Sequence, residues 1–209
     1  MHTALSFDAG AAGARLGPRE AYKFAKGEEV ISSTGQPARL SRPLDFLVVA
    51  DHSDNMGWFT DFMAGKPEIL QNAQAREWYD MIQSGQAGEA AWAIVMTFSQ
   101  GKFPPDIIYQ PGNPAYRSVW QSIISAAEEA NDPGRFTAFI GYEWTSLSKG
   151  NNLHRNVIFR DGAKRPVSSS HTRRSRPSAA TTRATCGNGC GTMRTRPAAT
   201  CLPSPTMAI

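Results

Sequence analysis

Leu44-Asp-Phe-Leu-Val-Val-Ala50, followed at once by Asp51-His-Ser-Asp54, is the stretch on which the reading of this chain turns. It is short, rich in β-branched residues, and bounded by Pro43 and polar Asp51, so it fits a buried strand better than a helix. Its C-terminal end delivers two carboxylates and an imidazole together. Two further strands are expected, Phe136 to Tyr142 ending in Glu143, and Leu153 to Phe159 with His154 near its start. Between them, Asn113-Pro114 makes a cap and first turn, and Tyr116, Val119, Trp120, Ile123, Ile124 and Ala127 recur at helical spacing up to Asp132-Pro133-Gly134. Upstream, Gly17 to Gly27 reads as a short helix, and Pro67 to Ser84 and Glu89 to Gln100 as two more. Strands separated by helices predict an α/β fold with a parallel sheet, whose site forms at the strand C-terminal ends.

The whole chain has 209 residues, with 41% hydrophobic and 19% charged, which excludes collagen-like, coiled-coil and wholly disordered classes. Charge is divided unevenly. Residues 1–163 hold all 18 acids against 14 Lys and Arg, a balance of −4, whereas residues 164–209 hold eight Lys and Arg and no acid, +8. The basic pI of about 9.1 therefore belongs to the tail. No apolar run approaches the roughly 18 residues of a membrane span. No export signal is read at the N-terminus, so the default expectation is a cytoplasmic protein with no membrane partner. Cys186, Cys190 and Cys201 all lie in the tail, which leaves the acidic body without a thiol for catalysis or metal binding.

Three of the four histidines, His2, His52 and His154, lie in the body near Asp8, Asp51 and Glu143. Imidazole nitrogen with carboxylate oxygen suits Zn, Mn or Fe. Taken singly, each His has a plain structural reading as a hydrogen-bonded partner of a nearby acid, and Glu143 as a solvated strand-end residue. Trp58, Trp78, Trp92 and Trp120 admit a partner surface, although their helical spacing favours core packing.

Met1-His-Thr-Ala-Leu-Ser-Phe-Asp-Ala-Gly10, Leu44 to Ser53 and Phe139 to Arg160, with Gly57 and Trp144-Thr145-Ser146, resemble successive motifs of the domain of unknown function 3604 family. That family is similar to the polymerase and histidinol phosphatase (PHP) superfamily of metal-dependent phosphoesterases, which fold as distorted seven-stranded β/α barrels. His2-Thr3 with Asp8 matches the second half of the superfamily's His-x-His-Thr motif, and Asp51-His52 matches its Asp-His. Gly141-Tyr142-Glu143 matches Gly-x-Glu, and His154 matches the His entering the next strand. The first His of His-x-His is not present, which the resemblance reads as an N-terminal truncation.

The resemblance implies a partial, distorted (β/α)7-type barrel over residues 1–163 and a metal-dependent hydrolase of small-molecule phosphoesters that uses a metal-activated water. His2, Asp8, His52, Glu143 and His154 would be the divalent-metal ligands, Glu143 best placed to bridge two ions. Asp51 would orient His52, and Arg155 would contact an anionic substrate, a solvated strand-end charge being its plain alternative. The competing expectation is a truncated, non-catalytic fragment with an incomplete metal site.

Residues 164–209 have no acids, aromatics or apolar periodicity, and are expected to be a disordered tail. Back-translated with permitted codons and read one base earlier, Cys186 to Ile209 can give a helix, a strand and then a His, the motif the resemblance lacks, so the tail is read as frameshifted, a genuine basic arm being the alternative. Arg173-Arg174-Ser-Arg176 has no aromatic residues for base stacking, and the tail cysteines lack a second pair, so neither nucleic-acid nor zinc binding is expected there.

Overall fold

A computed structural model of the chain describes residues 1–146, 152–160, 162 and 207–208. The expectations for the tail fall outside them, save that Met207–Ala208 pairs as an edge strand. In chain order the helices are α1 (Phe7–Ala11), α2 (Pro18–Ala25), α3 (Trp58–Met63), α4 (Pro67–Leu70), α5 (Ala73–Gln83), α6 (Ala87–Ser99) and α7 (Pro114–Ala130). The strands are β1 (Val30–Ile31), β2 (Pro37–Ala38), β3 (Phe46–Val49), β4 (Thr137–Ser146), β5 (Leu153–Phe159) and β6 (Met207–Ala208). β1 and β2 form a small hairpin, and the other four make one sheet in the order β3-β4-β5-β6.

Helices and strands are mixed as expected of an α/β chain, but the sheet is not parallel throughout. β3 pairs with β4 in parallel, whereas β4 and β5 are antiparallel. The cause is the length of β4, which continues past Tyr142 to Ser146. Only six residues then separate it from β5, and a parallel return needs about a dozen or more. Glu143 consequently lies inside β4 and not at its end.

The helix expected over Pro67 to Ser84 is broken into α4 and α5, because the side chain of Asn72 accepts a hydrogen bond from Ala75 N–H and starts a second helix. Asn113 caps α7 in the same way, accepting from the N–H groups of Ala115 and Tyr116. α7 lies against the sheet through Trp120, whose ring centroid is 5.9 Å from Tyr142 and 6.0 Å from Phe159. Trp58, Trp78 and Trp120 are buried in this one core, while Trp92 on α6 is 66% exposed. Among the described residues, no helix is long and apolar enough to cross a membrane.

Gly141 explains how three strands come so close. A Cβ there would stand 2.7 Å from the Val157 carbonyl oxygen and 2.7 Å from Val48 Cγ2, inside any tolerable contact. Alternation along the strands then sorts the side chains. The register sets Glu143 opposite Asn156 and Thr145 opposite His154 on one face, and Tyr142 opposite Val157 and Trp144 opposite Arg155 on the other.

Candidate metal centre

The N-terminal residues run beside β3. Ala50 N–H donates to the Met1 carbonyl at 2.9 Å, and the Met1 amino group donates to the Val48 carbonyl at 3.3 Å. Thr3 is then fastened to Asp51, whose two carboxylate oxygens accept from Thr3 N–H and, at 2.7 Å, from Thr3 Oγ1–H. These bonds hold His2 over the end of β3. The buried hydroxyl of Ser6 adds a second tie, accepting from His52 N–H at 3.0 Å and lying 2.8 Å from His2 Nδ1. Two residues later Asp8 enters from the first turn of α1, its Oδ1 accepting from Ala9 N–H.

From the other side, the backbone of Glu143 brackets His52. Glu143 N–H donates to the Asp51 carbonyl at 2.9 Å, and Ser53 N–H donates to the Glu143 carbonyl at 2.8 Å, so β3 and β4 remain paired through the imidazole-bearing residue. The five residues expected as metal ligands meet here. Glu143 Oε2 is 3.0 Å from His2 Nε2, 3.2 Å from His52 Nδ1 and 3.9 Å from His154 Nδ1. Asp8 closes a circuit, with Oδ1 3.5 Å from His2 Nδ1 and Oδ2 3.4 Å from His52 Nε2. The His2 and His52 rings meet edge to face at 4.6 Å, and His52 and His154 are 5.2 Å apart.

Electrostatics follow from this crowding. The ring nitrogen of His2 and then that of His52 hold the Asp8 carboxyl far below its usual range. Burial disfavours charge on His52, but Asp8, Asp54 and Glu143 together outweigh it and raise the imidazole above its ordinary value. Burial pushes Asp51 up against the lowering effect of its Thr3 bonds. Asp54 is pushed up to about 6 by burial, with His52 and His154 opposing. Its Oδ1 is buried without a hydrogen-bond partner among the described residues.

The donor set and spacing suit a divalent ion. Bonds of about 2.1 Å place adjacent donors about 3.0 Å apart in an octahedron and about 3.4 Å apart in a tetrahedron. His2, His52 and Glu143 each offer one donor atom within 4.8 Å of the other two. The two Asp8 contacts, at 3.4 and 3.5 Å, exceed the roughly 2.7–3.2 Å of an N–H···O hydrogen bond but match the edge of a coordination shell.

Two expected site residues are placed differently. Asp51 is fully buried and spends both oxygens on Thr3, so it orients the segment carrying His2; His52 is instead held by Ser6, Glu143 and Thr145. Arg155 follows the strand alternation onto the face opposite His154, across from Trp144. Three further residues shape the site: Ser6, Thr145 and Asp54. Ser6 and Thr145 sit within the motif stretches, yet a hydroxyl residue carries no signal of its own in sequence. Asp54 was visible in Asp51-His-Ser-Asp54 as a second acid near an imidazole.

Over residues 1–182 the chain matches the family described as "Protein of unknown function (DUF3604)", and the chain belongs to that family. No curated protein and no solved structure matches it.

Proposed function

We propose that this DUF3604 family member is a metal-dependent hydrolase, of the phosphoester class to which PHP proteins belong, built on a partial version of their distorted (β/α)7 barrel. The observation that carries the reading is the meeting of His2, His52, His154, Glu143 and Asp8, with Glu143 Oε2 3.0 Å from His2 Nε2 and Asp8 Oδ2 3.4 Å from His52 Nε2. Those five side chains would hold the ion or ions, Zn, Mn or Fe by donor type. Such an ion supplies Lewis acidity, activating a water and polarising a phosphoryl oxygen. The chain's own residues do the positioning. Thr3 and Ser6 set His2, the β3–β4 backbone pairing sets His52 against Glu143, and the β4–β5 register sets His154 beside them. Asp8 and His154 are the more exposed members, with 58% and 40% of their side chains accessible, and they leave the side by which a small anionic phosphoester would approach.

The test is metal content of the purified chain, with hydrolysis of bis(p-nitrophenyl) phosphate as the activity probe. The expected result is retained Zn, Mn or Fe and metal-dependent turnover, both lost in Glu143→Gln. A chain that neither retains nor takes up any of these ions overturns the reading.

A second reading, a non-catalytic fragment that binds an ion without turnover, draws support from the close grouping of three donors only, His2, His52 and Glu143, among the described residues. It joins the expectations of N-terminal truncation and a frameshifted tail, and gene sequencing checks both. Comparing the chain with an N-terminally extended, frame-corrected version separates the readings, because equal metal content and activity in both would defeat the fragment.

A further inference from the structure

One buried hydroxyl stands between two of the imidazoles. Thr145, two residues beyond Glu143 on β4, is 5% exposed, and its Oγ1 lies 2.6 Å from His52 Nδ1 and 3.2 Å from His154 Nδ1. A threonine oxygen has two lone pairs and one proton, so it can accept from two ring N–H groups at once or accept from one while donating to the other.

The surroundings select between these. His52 Nδ1 also faces Glu143 Oε2 at 3.2 Å, and an ionised carboxylate only accepts, so a proton on Nδ1 satisfies both neighbours. His154 Nδ1 meets the same two oxygens, at 3.2 and 3.9 Å. A neutral imidazole protonated on Nδ1 has its free lone pair on Nε2. In His52 that atom faces Asp8 Oδ2 at 3.4 Å, beyond the ordinary hydrogen-bond range, whereas Nδ1 lies 2.6 Å from Thr145 Oγ1, so the proton goes to Nδ1 and the Asp8 side is left for an ion. A metal-ligating His ordinarily donates its other ring N–H to a fixed acceptor, which sets both tautomer and ring angle.

We propose that Thr145 is a positioning residue of this centre: its Oγ1 accepts Nδ1–H from both His52 and His154 and holds both rings in the Nδ1–H tautomer, which in His52 leaves Nε2 on the Asp8 side as the ligating atom. The inference rests on the metal-centre reading for its consequence, but the Thr145 contacts with both rings are present without an ion.

The experiment uses two-bond ¹H–¹⁵N correlation spectra of the histidine rings, recorded metal-free at about pH 9, where unperturbed imidazoles are neutral. A zinc titration accompanies them for the wild type, Thr145→Ser and Thr145→Val. The expected wild-type pattern is Nδ1–H for His52 and His154. Thr145→Val should mix the tautomers and weaken zinc binding by about 10–100-fold, and Thr145→Ser should restore both. Wild-type rings protonated on Nε2 overturn the proposal even if the Val variant does not fold, and so does a folded Val variant with unchanged tautomers and affinity. If the wild type binds no zinc, the metal reading falls separately, while Nδ1–H rings in wild type and Ser but not Val still uphold Thr145's hold on them.

Discussion

Thr3 Oγ1 donates a hydrogen bond to Asp51 Oδ2 at 2.7 Å, and Thr3 N–H donates to the other oxygen of the same carboxylate. A side chain with no exposed surface is thus satisfied by the residue next to His2. Thr3→Val removes one bond and leaves a buried oxygen unpaired, a loss worth about 1–3 kcal/mol. Urea denaturation should show that destabilisation, and zinc binding should weaken because His2 loses its tether. A variant as stable as wild type would mean that Asp51 finds another partner.

Gly141→Ala should be costly for a different reason. The added methyl meets the Val157 carbonyl and Val48 Cγ2, each at 2.7 Å, and so drives apart β3 and β5 on either side of β4. Overpacking of this kind costs roughly 1–3 kcal/mol or more. The midpoint of urea unfolding reads it, and an unshifted midpoint would show that the strands part freely.

Neighbours on β5 should behave oppositely. His154 lies on the face of Thr145 and Glu143, and Arg155 on the face of Trp144. His154→Ala should lower metal affinity by about tenfold or more, the scale of lost support at metal sites. Arg155→Ala should leave affinity unchanged in the same calorimetric titration, and a comparable loss there would contradict the strand alternation.

Without metal, stability should fall as pH rises from 4 to 8. His52 has a raised folded pKa, so its contribution is complete below the ordinary imidazole value of about 6.5 and is lost as pH climbs through the folded value. Asp54 is raised from 3.8 to about 6, so its neutral form favours the fold and ionisation erodes stability over that interval. Asp8, depressed, contributes above the ordinary carboxylate range and loses its contribution only in strong acid. Added zinc should counter the decline, because protons and metal compete for the same ligands. Thermal unfolding at pH 5.5 and 8, with and without zinc, checks both signs.

Much of the framework could be read from residue patterns. Asn113-Pro114 and the apolar spacing of α7 marked that helix from its cap to Ala130, and the apolar run of β5 marked Leu153–Phe159. The direction of β5 could not be read the same way, since β-branched runs look alike in parallel and antiparallel pairs. It depended on where β4 stopped, and Glu143-Trp144-Thr145-Ser146 looks polar enough to be a loop. The acids and imidazoles that meet at the site were legible through their types and motif order. The partners that orient them were not: Thr3 acts on Asp51 and Ser6 on His52, across separations that only the folded sheet closes.

The bond pair joining Glu143 to Asp51 and Ser53 has a mechanical consequence. His52 and Glu143 face each other across a single parallel bridge, so the donor pair cannot drift apart without breaking the backbone bonds on both sides of it. A slip of β4 by one residue would turn Glu143 away and aim Tyr142 or Trp144 at His52. The meeting of the five side chains is therefore tied to strand alignment, and a chain paired one residue out of register would carry all five and lose their arrangement.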